Sequence, residues 1–371
     1  MQITSDFPGG NILVEEISGD TVRLRQDLRD TEGDWFYWNF AVSGAAGRTV
    51  EFEFCGSVAL GTRGPAWSRD GGATWQWLGA GERERFAFSF PAGAETVQFC
   101  MTIPYTEENW RELLAQASER GPLRAGRLCE SRKGREVEML SVGCVEKTPR
   151  FRAALLARHH CCETMASFVL DGVVDYVTVS DEEEAAWLRD KVEFIVLPFL
   201  DKDGVEEGDQ GKNRRPRDHI RDYGPESLYP ETAAVKKLFA GPLAAPLEVA
   251  LDLHCPWLFG GLNEAIYVVG SRSEAIWQEQ QKFAALLESA RCGPLPFQAA
   301  DSLPFGRDWN VATNFEKGIP FAAWAEEIPG IRLAATLEVP YASAHGVEVN
   351  AATARAFGAD VARALARYVR W

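Results

Sequence analysis

Ala157-Arg158-His159-His160-Cys161-Cys162-Glu163-Thr164 sets an imidazole and a carboxylate three residues apart, His160 and Glu163, just before an apolar run. Such a pair can converge on one metal ion. Val249-Ala250-Leu251-Asp252-Leu253-His254 supplies a third group, a continuous apolar, strand-like segment that ends on a histidine. Two histidines and a glutamate make the ligand set of a hydrolytic zinc site, which leaves its fourth position for water. Both histidines close an apolar approach, and an α/β sheet presents its ligands at the carboxyl ends of its strands. His159 competes with His160, because His159 and Glu163 are four residues apart and share a face if the segment is already helical. The strand-end context favours His160. Of the five histidines, His345, in Ala-Ser-Ala-His-Gly-Val, reads as a surface residue.

Outward from these segments, residues 137–145, 194–198, 249–254 and 265–269 read as strands. Residues 107–119, 164–174 and 351–368 read as helices, the last of them amphipathic. Residues 331–335 lead as a strand into Thr336-Leu337-Glu338. Continuous apolar strands separated by helices predict an α/β domain over residues 104–371, a mixed, mostly parallel sheet flanked by helices. Residues 1–103 differ in texture, with alternating runs at 34–42, 49–54 and 85–90 bounded by Gly, Asp and Pro. That pattern predicts an N-terminal antiparallel β-sandwich domain. Asp70-Gly71-Gly72, between Trp67 and Trp75, reads as a hairpin turn. The many aromatic residues are expected to form its core, since large rings supply most of the buried area of a thin sandwich.

The chain has 371 residues, enough for two domains, and 46% of them are hydrophobic. A formal net charge of −15 argues against nucleic acid and anionic membrane as partners and leaves small or peptidic substrates. No stretch approaches the roughly 18 apolar residues of a membrane span, and the first residues have no basic and apolar leader, so a cytoplasmic location is expected. The eight cysteines are scattered and read as free thiols. Cys161 and Cys162 lack a second Cys-x-x-Cys pair with which to complete a structural metal site.

Several motifs together resemble the zinc metallocarboxypeptidases of the funnelin type, most closely the cytosolic carboxypeptidase-like branch with its N-terminal β-sandwich. Asp34-Trp35-Phe36-Tyr37-Trp38 resembles that branch's Trp-Phe-Tyr-Phe signature, and Pro104-Tyr105-Thr106 the Pro-Tyr-Thr that closes its sandwich. Ala157 to Thr164 stands where the branch has Ala-Arg-x-His-Pro-Gly-Glu-Thr. The resemblance makes His160, Glu163 and His254 the ligands of Zn²⁺. It implies Glu338, in Thr336-Leu337-Glu338, as the general base that deprotonates the zinc-activated water. Asp218, in Asp218-His219-Ile220-Arg221, would orient His160. Arg221 would hold the substrate carboxylate, with Arg214 also at the substrate. Arg215 is preferred over Arg214 as the oxyanion arginine. The activity implied is removal of a C-terminal residue from a peptide. The alternatives are an N-acyl amino acid deacylase or amidase, and a catalytically silent metal-binding interaction protein.

Three departures, and one accommodation, stand beside these matches. Ile220 replaces the family's asparagine, which removes a neutral hydrogen bond to the substrate carboxylate worth roughly 1.5–3 kcal/mol. Cys161-Cys162 replaces Pro-Gly inside the metal turn, where glycine would permit backbone angles that cysteine resists. No tyrosine stands shortly before Glu338, where Phe321 and Trp324 are the nearest aromatics. Cys255-Pro256 is expected to carry the family's cis peptide after His254, since an X-Pro bond makes cis far cheaper, and Trp257 to face the cleft.

Overall fold

The structure, a computed structural model, describes residues 1–118, 121–241 and 245–370. A seven-stranded sheet forms its centre, in the order Leu123–Glu130, Glu136–Gly143, Val192–Leu197, Phe151–Ala157, Leu247–His254, Leu333–Glu338, Tyr267–Val269. The four middle strands are parallel and the edges at both sides are antiparallel. Buried on both faces, the middle strands are almost wholly apolar, as parallel strands covered by helices must be. Chain order reverses between Phe151–Ala157 and Leu247–His254, so a crevice opens at the carboxyl ends of these two strands. Register then aligns the groups around it: Ala157 lies beside Leu253, His254 beside Glu338, and Glu338 beside Tyr267.

The helix expected over 107–119 is Glu107–Ser118, and Glu119 lies outside the described residues. The helix after the metal pair runs further than its apolar start suggested, over Thr164–Val179, and nearly all of it is buried. It packs against the C-terminal helix Ala351–Arg370, whose burial extends well beyond one stripe. Two glycines allow this approach. A Cβ on Gly172 would lie 1.9 Å from the Arg355 carbonyl oxygen, and one on Gly358 2.1 Å from that of Val169. No helix among the described residues is long and apolar enough to cross a membrane.

The first hundred residues form two sheets. Five strands, Gln2–Thr4, Asn39–Ser43, Thr96–Cys100, Ala66–Ser68 and Gln76–Trp77, pair antiparallel throughout. The other four are Leu13–Ser18, Thr21–Arg25, Thr49–Phe54 and Arg85–Ser89. Here the purely antiparallel expectation fails, because Thr21–Arg25 pairs parallel to Thr49–Phe54. Rings from the two sheets interlock, Phe40 and Phe99 of one against Phe52 and Phe86 of the other, with centroids 5.3–5.5 Å apart. The aromatic residues are therefore core. Asp70-Gly71-Gly72 does turn a hairpin, with the Asp70 carboxylate accepting from the Thr74 amide. Of the alternating run 34–42, only Asn39–Ser43 joins a sheet. Trp35 and Phe36 lie outside these sheets and pack against Trp257, which lines the crevice of the central sheet.

Gly172→Ala is expected to lower stability by ~1–3 kcal/mol through overpacking. Chemical denaturation with an unchanged m-value would show it, and an unaltered midpoint would mean that the two helices can separate at no cost.

Candidate metal centre and cleft

The turn that carries the first histidines is made by Arg158, which is buried and holds a left-handed φ of 64°. Its guanidinium caps the turn by donating to the carbonyls of Cys161 and Tyr105. Positive φ therefore sits at Arg158, and Cys161 and Cys162 keep ordinary backbone angles, which is how this chain does without the Pro-Gly. The cysteine is accommodated across the turn by Gly211, at φ 72°, where a Cβ would come within 2.5 Å of the Cys161 nitrogen. Cys161 Sγ lies 3.0 Å from the Asp209 carbonyl and Cys162 Sγ 3.7 Å from the Tyr341 hydroxyl, so neither thiol faces the metal groups.

The turn sends its two histidines in different directions. His159 is fully buried with both ring nitrogens engaged, Nδ1 with Asp252 Oδ1 at 2.8 Å and Nε2 with the Tyr223 hydroxyl at 2.7 Å. His160 turns to the cleft. There His160, Glu163 and His254 each offer a ligand atom, all within 4.8 Å of one another. His160 Nδ1 is 2.8 Å from Glu163 Oε1. His254 Nδ1 is 2.7 Å from Glu163 Oε2, without the alignment of a hydrogen bond. Outer ring nitrogens meet carboxylates: His254 Nε2 pairs with Asp252 Oδ2 at 2.8 Å, and His160 Nε2 stands 3.6 Å from Asp218 Oδ2. The Asp252 bond is the support that fixes tautomer and ring orientation in a metal site, whereas Asp218 stands just beyond hydrogen-bond distance of His160. His159, Asp252 and His254 also cluster, but both His159 nitrogens are already bonded, so that group is a hydrogen-bond chain.

Glu163 occupies the N-cap position of Thr164–Val179 yet makes no capping hydrogen bond, its carboxylate being turned into the cleft. Burial opposes its charge, and Lys212, His160 and His254 together hold it well below the usual carboxylate range. Burial likewise opposes the charge on His254, but Asp252 and Glu163 raise it well above the ordinary imidazole value. Asp252, buried and held by two imidazoles, stands at about 2. Glu338 moves the other way. Burial pushes it up to about 7, Glu163 adds to the rise, and its Oε2 has no hydrogen-bond partner.

His160, Glu163, Lys212 and Glu338 line a cleft of about 430 Å³ together with Asp218, Arg221, Tyr267, Trp35, Trp257 and Trp309. A narrower pocket of about 130 Å³ leads off it past Ile220, Arg221, Arg272 and Thr336. Among the described residues the Arg221 guanidinium makes no hydrogen bond or ion pair. Burial lowers its pKa, and only the charge of Asp218 opposes that. Ile220 packs into the apolar cluster of Leu156, Tyr223 and Phe321. Trp257 faces the cleft as expected from its place after His254.

The structure corrects three expectations. Arg215 is exposed and pairs with Glu32 at the surface. Arg214 is buried, but Asp201 at 2.8 Å, Asp209 at 2.6 Å and Asp30 at 3.0 Å use up its guanidinium. Neither arginine lines the cleft, because Asn213, at φ 49°, turns the chain away from it. The cis peptide stands at Arg215-Pro216, and Cys255-Pro256 is trans.

Three groups escaped the sequence. Lys212, within the basic loop, places Nζ 2.6 Å from Glu163 Oε1. Asp252 lies two residues before His254 on one strand, so strand periodicity alone sets both on one face. Tyr267 brings a phenol whose oxygen is buried without a partner. It enters from the edge strand that pairs with Glu338, not from the segment before it.

No protein-family model matches the chain. An uncharacterised protein of Zymomonas mobilis is 27% identical over 213 residues, 55% of this chain and 54% of that one. Mouse cytosolic carboxypeptidase 3 is 32% identical over 146 residues, 37% of this chain and 14% of the mouse protein. The chain thus spans about half or less of the length of these curated relatives. Among solved structures, a metallo-carboxypeptidase of Burkholderia cenocepacia superposes with a TM-score of 0.81 at 21% identity over 100% of this chain and 98% of its own. A Pseudomonas aeruginosa metallo-carboxypeptidase in complex with (2-guanidinoethylmercapto)succinic acid gives 0.79 at 22% identity, over 100% and 99%.

Asp252→Asn is expected to weaken divalent metal binding about 10–100-fold, since the amide keeps one acceptor oxygen for two imidazoles, His159 and His254, and carries no charge. Competition against a chromophoric chelator measures this, and full affinity in the variant would mean that packing alone aims His254.

Proposed function

We propose that the chain is a metallocarboxypeptidase of the funnelin type, a zinc-dependent hydrolase that removes the C-terminal residue of a peptide, a reading supported by its likeness to cytosolic carboxypeptidases and to the fold of solved metallo-carboxypeptidases. The observation that carries this reading is the convergence of His160, Glu163 and His254 within 4.8 Å. These residues fit a dication. Two imidazoles present Nδ1 while their outer nitrogens meet carboxylates, and Glu163 Oε2 is buried without a hydrogen-bond partner. A donor set of two nitrogens and one carboxylate, with the nearby thiols turned away, suits catalytic zinc.

Zinc held there supplies a water of lowered pKa and polarises a carbonyl. Glu338, at the rim with an unpartnered oxygen, takes the proton of that water and returns it to the leaving amine. Arg221 binds the substrate's terminal carboxylate with its forked donors. Ile220 offers no second donor, so Arg221 does this without the amide help seen in the family pattern. The side pocket beyond Ile220 receives the terminal side chain. Residues 1–103 act as an N-terminal β-sandwich domain whose Trp35 narrows the cleft of the catalytic domain, 104–371. A cytoplasmic setting belongs to the same proposal, in keeping with the names of the cytosolic relatives.

Purified protein is expected to hold one zinc per chain and to release amino acids from peptides with a free C-terminus. Amidated counterparts should be cleaved at least ~10²-fold more slowly, because a neutral amide leaves Arg221 unpaired. Equal cleavage of both would sink the carboxypeptidase label, and turnover of N-acyl amino acids alone would make the enzyme a deacylase. Glu338→Gln should lower kcat by ~10²–10⁴ with the metal retained. Loss of the metal instead would make Glu338 a site-building residue.

Glu338 must be ionised to act, so kcat/KM should rise with pH. Burial raises its carboxyl to about 7 against the pull of His254 and Lys212, and a dication lowers it from there. The acid limb is therefore expected at or below pH 7, and a midpoint well above 7 in the pH profile would assign the limb to another group.

A further inference from the structure

We propose that Lys212 is the cation that stabilises negative charge on the attacked carbonyl oxygen, a part for which an arginine of the same loop was expected. The inference rests on the carboxypeptidase reading above. Arg214 is held by three carboxylates and Arg215 points to solvent, so the loop brings no guanidinium to the metal ligands. The cations among the described residues that line the cleft are Lys212, Arg221 and Lys317. Arg221 lies beside the side pocket, where the terminal carboxylate would be held. Lys317 is exposed at the rim, 3.4 Å from the Asn213 side chain. Lys212 alone of the three touches a metal-site residue, with Nζ 2.6 Å from Glu163 Oε1.

The surroundings of Lys212 favour a charge that works in place. Its side chain is 9% exposed. One N–H donates to the Cys255 carbonyl at 2.9 Å and a second meets Glu163. An ammonium has three N–H donors, and the third has no partner among the described residues. Trp35 and Phe36 stand with ring centroids 5.6 Å and 5.8 Å from Nζ and wall the cation off from solvent. A fixed donor in a site closed to water costs no reorganisation when charge develops, which is the condition for oxyanion stabilisation. A simple counter-ion role for Glu163 explains less, since two imidazoles already stand at 2.8 Å and 2.7 Å from that carboxylate.

The reaction gains no new bond from this assignment. Water oxygen bonds to the carbonyl carbon, the C–O π pair moves onto the oxygen beside Lys212, and collapse expels the amine with the proton carried by Glu338.

Lys212→Met, Lys212→Gln and Lys212→Arg, each zinc-loaded, test this by calorimetry with two ligands: a phosphinic tetrahedral peptide analogue with a free carboxylate, and the free amino acid product, which carries no tetrahedral oxyanion. Chelator competition supplies the zinc affinity of each. The expected result is zinc binding within about tenfold of wild type, a loss on the order of 10²–10³-fold for the tetrahedral analogue, and less than about threefold for the product. Lys212→Gln gives the same reading should the Met variant not fold. Lys212→Arg should restore part of the loss, since charge returns with a different shape. Equal losses for both ligands, no loss for either, or a zinc affinity down by more than about tenfold would overturn the proposal and leave Lys212 a structural residue. A wild-type protein that binds zinc but neither ligand would instead sink the carboxypeptidase reading itself, and the proposal with it.

Discussion

The carboxylate of Glu163 is a buried charge at the start of a buried helix, and the rest of the cleft is arranged around it. A carboxylate taken from water and left alone would be strongly destabilising. Here it meets His160, His254 and Lys212 within 2.8 Å. Those partners arrive from a turn, a strand end and a loop, so one charge ties together three parts of the chain. The helix gives up a capping interaction for this, since Glu163 sits at its N-cap without capping it.

Around that charge the outer carboxylates matter as much as the inner groups. Asp252 faces His254 on one side and His159 on the other, and Tyr223 ends the chain of hydrogen bonds. His159, which shares the turn with His160, thus braces the site from behind. The two adjacent histidines have opposite tasks because Arg158, in a left-handed conformation, sharpens the turn between strand and helix. The loss of Pro-Gly is absorbed in the same place. Cysteine takes ordinary angles, and Gly211 makes room on the facing loop.

Much of this could be read from the sequence where period and spacing carry the information. His160 and Glu163 are close in the chain, and the apolar segment ending at His254 had to be a buried strand, so their meeting at the sheet's carboxyl edge follows from topology. Edge pairings did not follow, because an antiparallel edge and a parallel neighbour share the same apolar texture. For that reason Tyr267 was not connected with Glu338, although the two are register partners. Side-chain direction within a loop is set by backbone angles and partners at a distance. In the 208–217 loop, Arg214 and Arg215 stand out by charge and by the family pattern, and Lys212 does not. Of the carboxylates that hold Arg214 away, Asp209 lies in the same loop and Asp201 just before it, but Asp30 comes from the far end of the chain, and charge alone does not show that the three converge on one guanidinium.

Trp35 and Phe36 belong by sequence to the first unit and by position to the second. They stand between Lys212 and the solvent much as insulation stands around a conductor. Water admitted at that boundary would raise the local dielectric and weaken the pull between Lys212 and its anionic neighbours, with no metal ligand moved. The N-terminal unit is thus bound to the electrostatics of the centre itself. Grafting the 104–371 portion onto another partner would change the strength of its charges even where every residue of the site was kept.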